Sequence, residues 1–321
     1  MRICRIQHQG RVHPAIYHDK FLVPLAAGAK AYADATHEKI DLPSGDDLLA
    51  FLPPDGKACE SVKKLAEWVE RNGEGVPAAA RLSHTEAKVL VPIPRPNKLF
   101  LLAGNYGDHI REGGGIAPER LETFPYVFMK PPSTTLTNPG DPVQVPSVSP
   151  NAIDWELELA IVIGRGGKHI KEADALEYVA GYTVINDISD RKFRPNPQRK
   201  ERPKDSFFDW LHGKWHDSFC PCGPCITSAD AIPDPQKLKM QLRLNDEVKQ
   251  DATTALQIFP VAAVIEFISS FVTLEPGDII STGTPSGVGA ASNTFVKPGD
   301  TLTATIEHIG SIVSPIVAEK T

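Results

Sequence analysis

Two glutamates, Glu156 and Glu158, stand two residues apart in the run Trp155-Glu-Leu-Glu-Leu-Ala-Ile-Val-Ile163. On a strand that spacing puts both carboxylates on one face, where like charges cost energy unless something positive lies between them. Leu157, Leu159 and Ile161 mark an otherwise core strand, although the same spacing suits an exposed edge strand with one solvated acidic face. Asp187 adds a third carboxylate. It follows the apolar stretch 182–185 in Asn186-Asp187-Ile188-Ser189, at a strand end where functional groups are commonly presented; an Asn-Asp pair is also a frequent turn former. Three carboxylates from two strands, with no Cys or His interleaved, make a hard, oxygen-rich site. Such a site suits Mg²⁺, Mn²⁺ or Ca²⁺ and leaves positions for water and substrate oxygens.

A second group lies in Asn105-Tyr-Gly-Asp-His109-Ile-Arg-Glu112. His109 and Glu112 are three apart, so one helical turn brings them together. A carboxylate beside an imidazole fixes its tautomer and raises its basicity, which makes a general base; surface helices carry such pairs routinely as well. Gly113-Gly114-Gly115 would let the segment hinge as a lid.

These residues need strands and short helices to position them. The spacing predicts two strands within 12–25 around a His18-Asp19-Lys20 turn, and an amphipathic helix over 61–71 from Val62, Leu65, Ala66 and Val69. Strands are expected at 98–103, 126–129, 155–163, 181–185, 279–281 and 301–307, and helices at 172–179 and, opened by Pro260, at 261–271. Residues 195–218, with prolines, charges and aromatics but no clean period, read as a long loop over the body. Val91-Pro-Ile-Pro-Arg-Pro-Asn97 carries three prolines, a stiff extended connector that divides a small N-terminal domain, 1–95, from a catalytic domain, 96–321.

Composition narrows the class. The 29 prolines in 321 residues are nearly twice the usual share of about 5%, which excludes a long-helix protein. A net charge of −6 leaves no basic footprint for nucleic acid. No segment has the ~18 apolar residues of a membrane span, and the first residues lack a signal-peptide apolar stretch. Five cysteines suit free thiols in a reducing compartment, so the expected location is cytoplasmic.

Several blocks carry a resemblance, in order: Gly104-Asn-Tyr-Gly-Asp-His109-Ile-Arg-Glu112, Phe128-Met-Lys130-Pro-Pro-Ser133, Glu156-Leu-Glu158-Leu-Ala-Ile-Val-Ile-Gly164 and Gly181-Tyr-Thr-Val-Ile-Asn-Asp187. Lys214-Trp-His-Asp217, Gly223-Pro224, Glu275-Pro-Gly-Asp-Ile-Ile-Ser-Thr-Gly-Thr284-Pro-Ser-Gly-Val-Gly289 and Lys297-Pro-Gly-Asp300 follow. From about residue 97 onward the chain resembles the fumarylacetoacetate hydrolase superfamily. The resemblance implies an α+β fold, with a small N-terminal α/β domain and a mixed β-sheet roll, and a homodimer. It implies a divalent metal, Mg²⁺ or alternatively Mn²⁺ or Ca²⁺, on Glu156, Glu158 and Asp187. His109 and Glu112 match the water-activating dyad, and Lys214 the lysine that offsets developing negative charge. Arg191, Thr284 and Lys130 match substrate-binding positions. Arg194 stands where many members carry glutamine, and 195–208 is distinctive.

Other signals are weaker. Cys220, Cys222 and Cys225 crowd into six residues but lack a nearby fourth ligand for zinc or iron–sulfur. His212 and His216 would share a helix face, yet read as loop residues or substrate contacts. Gly164-Arg-Gly166-Gly167-Lys168-His169 lacks the third glycine of a dinucleotide fingerprint, and 283–289 lacks the ending of a phosphate loop.

The expected partner is a small 2-oxo or β-diketo acid. The expected reaction is metal-dependent hydrolysis of a C–C bond in an acylpyruvate-type acid through an enolate. Decarboxylation or enol–keto isomerisation is the alternative within the superfamily, and a non-catalytic binding protein the alternative outside catalysis.

Overall fold

The computed structural model describes residues 1–320. Its centre is an eleven-stranded mixed sheet, in which Leu157–Ile163 lies between Val179–Asn186 and Ile279–Ser281. Beyond Val179–Asn186 come Cys220–Ser228, Arg2–His8, Arg11–Tyr17 and Leu22–Pro24; beyond Ile279–Ser281 come Leu99–Ala103 and Tyr126–Met129. Most neighbours are antiparallel, while Ile279–Ser281 runs parallel to Leu99–Ala103. Arg2–His8 hydrogen-bonds to Cys220–Ser228, so the N-terminal strands extend the sheet that carries the acidic residues.

Leu157–Ile163 is buried along its whole length, as a strand covered on both faces must be. Its alternation feeds two cores. Leu157, Leu159, Ile161 and Ile163 pack with Met240, Leu242, Leu302, Ala304 and Ile312 of a second, five-stranded sheet and with Val264, Ile265 and Ile268. Ala160 and Val162 face the other way, toward Leu25, Tyr32, Val62, Leu65, Trp68 and Val69 of two N-terminal helices. The layers are therefore helices, large sheet, smaller sheet. Each buried Leu or Ile contributes about 1.5–3 kcal/mol, and Ile161→Ala would cost about 2–5 kcal/mol.

Most expected elements are present. Arg11–Tyr17, Leu22–Pro24, Cys59–Asn72, Leu99–Ala103, Tyr126–Met129, Val261–Ser269, Ile279–Ser281 and Thr301–Ile306 lie within a few residues of their sequence-derived bounds. Glu172–Tyr178 winds as a 3₁₀ helix. The reading of 195–218 as loop is corrected: Asp205–His212 is an α-helix. Asp205 is buried and receives Nε of both Arg199 and Arg202, each at 2.9 Å, at the helix start. Trp210 packs edge-on against Phe128 at 5.0 Å while Phe207 and Phe208 stay exposed, which breaks the apolar period. Leu25–Thr36 is a helix that alanines and Gly28 hide from a hydrophobicity reading; Gly28 lets it close on Val23 and Leu65. Among the described residues, no helix is long and apolar enough to cross a membrane.

Candidate metal centre

Glu156 and Glu158 flank Leu157 where Leu157–Ile163 begins, and Asp187 directly follows Val179–Asn186. The backbone N–H of Asp187 donates to the Glu156 carbonyl at 2.8 Å, locking the two strand ends together. One carboxylate oxygen from each of the three residues lies within 4.8 Å of the others. All three side chains are buried. Like charges this close demand cations, and three supply them.

Lys214 donates to Asp187 Oδ2 at 2.6 Å and to Glu156 Oε2 at 2.9 Å. Its ammonium lies 5.3 Å from the Phe128 ring and 5.9 Å from that of Trp210, which seal it from water. Arg191 bridges Glu156 Oε1 at 2.5 Å and, through Nε, Asp154 Oδ2 at 2.8 Å. Lys130 pairs with Asp187 and also donates to the carbonyls of Ile188 (2.9 Å) and Phe219 (2.6 Å). The Lys130 ammonium is thus buried against Asp187 and two backbone carbonyls.

Burial favours the neutral form of Glu156, but Lys214 and Arg191 outweigh it and hold the carboxyl far below the ordinary range. Burial likewise opposes the charge on Lys214, and Asp187 and Glu156 override it, so the amine is raised. Glu158 differs. Burial, with the Asp187 and Glu156 charges beside it, raises its carboxyl well above the glutamate norm. Its Oε2 accepts from Ser281 Oγ at 2.6 Å and from the Gly283 N–H at 2.9 Å, while Oε1 has no partner. A buried carboxylate oxygen without a donor is costly, and a divalent cation is the partner that fits three converging hard oxygens.

His109 and Glu112 lie on the short helix Gly107–Glu112, Nδ1 to Oε1 at 2.8 Å. Glu112 Oε2 accepts from the Gly287 N–H at 2.9 Å, which pins the helix to the loop over 283–290. A charge on the His109 ring is close enough to lower Glu156. Nδ1 being turned to Glu112, Nε2 is the nitrogen left for proton transfer. Thr284 is in the same loop, its hydroxyl donating to the Leu157 carbonyl at 3.0 Å. The structure thus gathers His109, Glu112, Glu156, Glu158, Asp187, Arg191, Lys214 and Thr284 around the start of one strand.

Residues 98–317 match the family described as fumarylacetoacetate (FAA) hydrolase C-terminal. The chain belongs to this family. A mitochondrial oxaloacetate tautomerase of Xenopus laevis is 39% identical over 238 residues, 74% of this chain and 70% of that protein. Another from Bos taurus is 38% identical over 282 residues, 84% of this chain and 83% of its own. The crystal structure of maleylpyruvate hydrolase from Sphingobium sp. SYK-6, in complex with manganese(II) and pyruvate, superposes with a TM-score of 0.69. It is 26% identical and the match covers 100% of both chains.

Two residues of this family member escape a sequence reading. Asp154 is fully buried, receives Gly289 N–H at 2.6 Å, Ala290 N–H at 3.0 Å and Arg191, and so ties that arginine to the loop. Its place two residues before Glu156 was the available signal, since 154, 156 and 158 alternate as one face. Gln250 bonds to Leu157 and Thr284 from 93 and 34 residues away; no local pattern marks it. The Cys220, Cys222 and Cys225 thiols are buried in the strand Cys220–Ser228 with raised pKa values caused first by burial. Among the described residues, the one metal-competent group of three or more Asp, Glu, His or Cys is the carboxylate trio.

Proposed function

We propose that the chain is a divalent-metal-dependent enzyme that interconverts the enol and keto forms of a short 2-oxo dicarboxylic acid of the oxaloacetate kind. Charge supports an anionic substrate. Four buried acids, Asp154, Glu156, Glu158 and Asp187, face three cations, Lys130, Arg191 and Lys214, a net of −1 when all are ionised. A divalent ion brings that to +1, a site that attracts an anion.

Glu156, Glu158 and Asp187 would hold the cation. When bound, it supplies Lewis-acid polarisation of the substrate's oxygens. Lys214 offsets negative charge as it develops on the enolate oxygen, where a fixed, dry cation is most effective. His109, oriented by Glu112, moves the proton: the enol oxygen gives up one and the far carbon of the enol double bond gains one, so the balance is internal. The observation that carries this reading is that one loop, 283–290, holds Glu158 of the carboxylate trio through the Gly283 N–H and Glu112 of the dyad through the Gly287 N–H. The oxaloacetate tautomerases similar over most of the chain favour tautomerisation as its use.

Hydrolysis of a C–C bond in an acylpyruvate is the second reading, favoured by the same dyad, which could as readily deprotonate water, and by the resemblance to maleylpyruvate hydrolase. ¹H NMR separates them. The tautomerase reading expects metal-dependent ketonisation of enol-oxaloacetate and intact acetylpyruvate; release of pyruvate and acetate from acetylpyruvate would establish hydrolysis instead. A homodimer belongs to the proposal too, and light scattering on the purified chain tests it.

A further inference from the structure

Leu157, the residue between the two glutamates, lies past the end of a ladder. Its neighbour Ile279–Ser281 pairs only with Ala160, Ile161 and Val162, so the Leu157 backbone on that side has no strand opposite. Two side chains substitute for one. The Leu157 N–H donates to Gln250 Oε1 at 3.0 Å, and the Leu157 carbonyl accepts from Thr284 Oγ1 at 3.0 Å. Gln250 Nε2 closes the ring, donating to Thr284 Oγ1 at 2.9 Å and to the Pro285 carbonyl at 2.8 Å. The amide orientation follows from chemistry: a backbone N–H can only donate and a carbonyl can only accept. Gln250 is buried on the strand Glu247–Thr253, and the loop touches that strand so closely that a Cβ on Gly287 (φ +98°) would collide with the Lys249 carbonyl.

We propose that Gln250 is a positioning residue for the metal centre. It holds the backbone from which Glu156 and Glu158 project, and it fixes the Thr284 hydroxyl. With its proton on Leu157 and one lone pair on Gln250, that hydroxyl can accept from a substrate O–H but cannot donate to a carboxylate. The inference rests on the metal reading above.

The test is Mn²⁺ binding to the full chain, followed by electron paramagnetic resonance, with melting curves alongside. Gln250→Met, close in volume and without hydrogen bonds, should weaken Mn²⁺ binding about 10–100-fold, as loss of a support behind metal ligands commonly does. Thr284→Val should weaken it less, because the acceptor for the Leu157 N–H remains, and the double variant should fall short of the sum. Thr284→Ser, which restores the hydroxyl, should recover the affinity. A folded Gln250→Met chain with wild-type affinity, whatever its melting temperature, overturns the inference. If that variant does not fold, unchanged affinity in Thr284→Val overturns it. A wild-type chain that binds no Mn²⁺ overturns the metal reading itself.

Discussion

Lys214 and Asp187 lie 2.6 Å apart, Nζ to Oδ2, with both side chains sealed from solvent. The same ammonium reaches Glu156 at 2.9 Å. One lysine therefore ties two of the three carboxylates together, and its removal leaves Asp187 with Lys130 and Glu156 with Arg191 as their remaining cations. Lys214→Met is expected to cost about 3–5 kcal/mol in the metal-free protein, the usual penalty for removing one partner from a buried ion-pair cluster. Added Mn²⁺ should recover much of that stability but not the rate, which should stay down about 10²–10³-fold. Melting curves with and without Mn²⁺, beside turnover, check both halves.

The dyad makes a sharper division. His109 is not among the candidate ligands, so His109→Ala should leave Mn²⁺ affinity within a few-fold of wild type while turnover drops about 10²–10⁴-fold. Glu112→Gln should fall between the two, since an amide can still meet His109 but its NH₂ group opposes the Gly287 N–H. A His109→Ala chain that turned over normally would remove the imidazole from the chemistry.

Glu158 sets a pH dependence. Its folded-state pKa is raised above the ordinary 4.5 by burial and by Asp187 and Glu156. The metal-free fold has the full benefit of the neutral acid below that ordinary value and loses it as pH rises through the raised one. A cation that takes the carboxylate must displace the proton. Mn²⁺ affinity should accordingly rise with pH by up to about tenfold per unit while Glu158 titrates. Calorimetry in buffers of different ionisation enthalpy should show net proton release, and Glu158→Gln should abolish tight binding. A pH-independent affinity would contradict the assignment of Glu158.

How far the site could be read from the chain depends on how local each relationship is. Glu156 with Glu158, and His109 with Glu112, are neighbours by the geometry of one strand and one helical turn, so spacing alone exposes them. Asp187 follows from an apolar strand that stops at a polar pair. Lys130 shows only as part of a family block, and nothing in its surroundings foretells that its acceptors are the carbonyls of Ile188 and Phe219, 58 and 89 residues away. Gln250 belongs to the opposite sheet, and its partners exist only once the two sheets stack. The helix Asp205–His212 escaped because charged pairs and half-exposed aromatics, rather than an apolar stripe, hold it in place.

Asp154 deserves a variant of its own. It fixes Arg191 and two backbone N–H groups of the loop at once. Asp154→Asn turns one acceptor into a donor facing donors, at a cost of about 1–3 kcal/mol. With Arg191 loosened, KM should rise more than kcat falls. Steady-state kinetics and a melting curve would show it; an unchanged KM would place Arg191 outside substrate binding.

Metal-dependent tautomerisation is tested most directly by the decay of enol-oxaloacetate absorbance with the metal-stripped protein, before and after Mn²⁺ is returned. Ketonisation is expected at the uncatalysed rate in the stripped protein, with a large acceleration on adding Mn²⁺ that is absent in Glu158→Gln. Equal acceleration by the stripped and reconstituted proteins would contradict it, because the carboxylate trio would then have no part in the reaction.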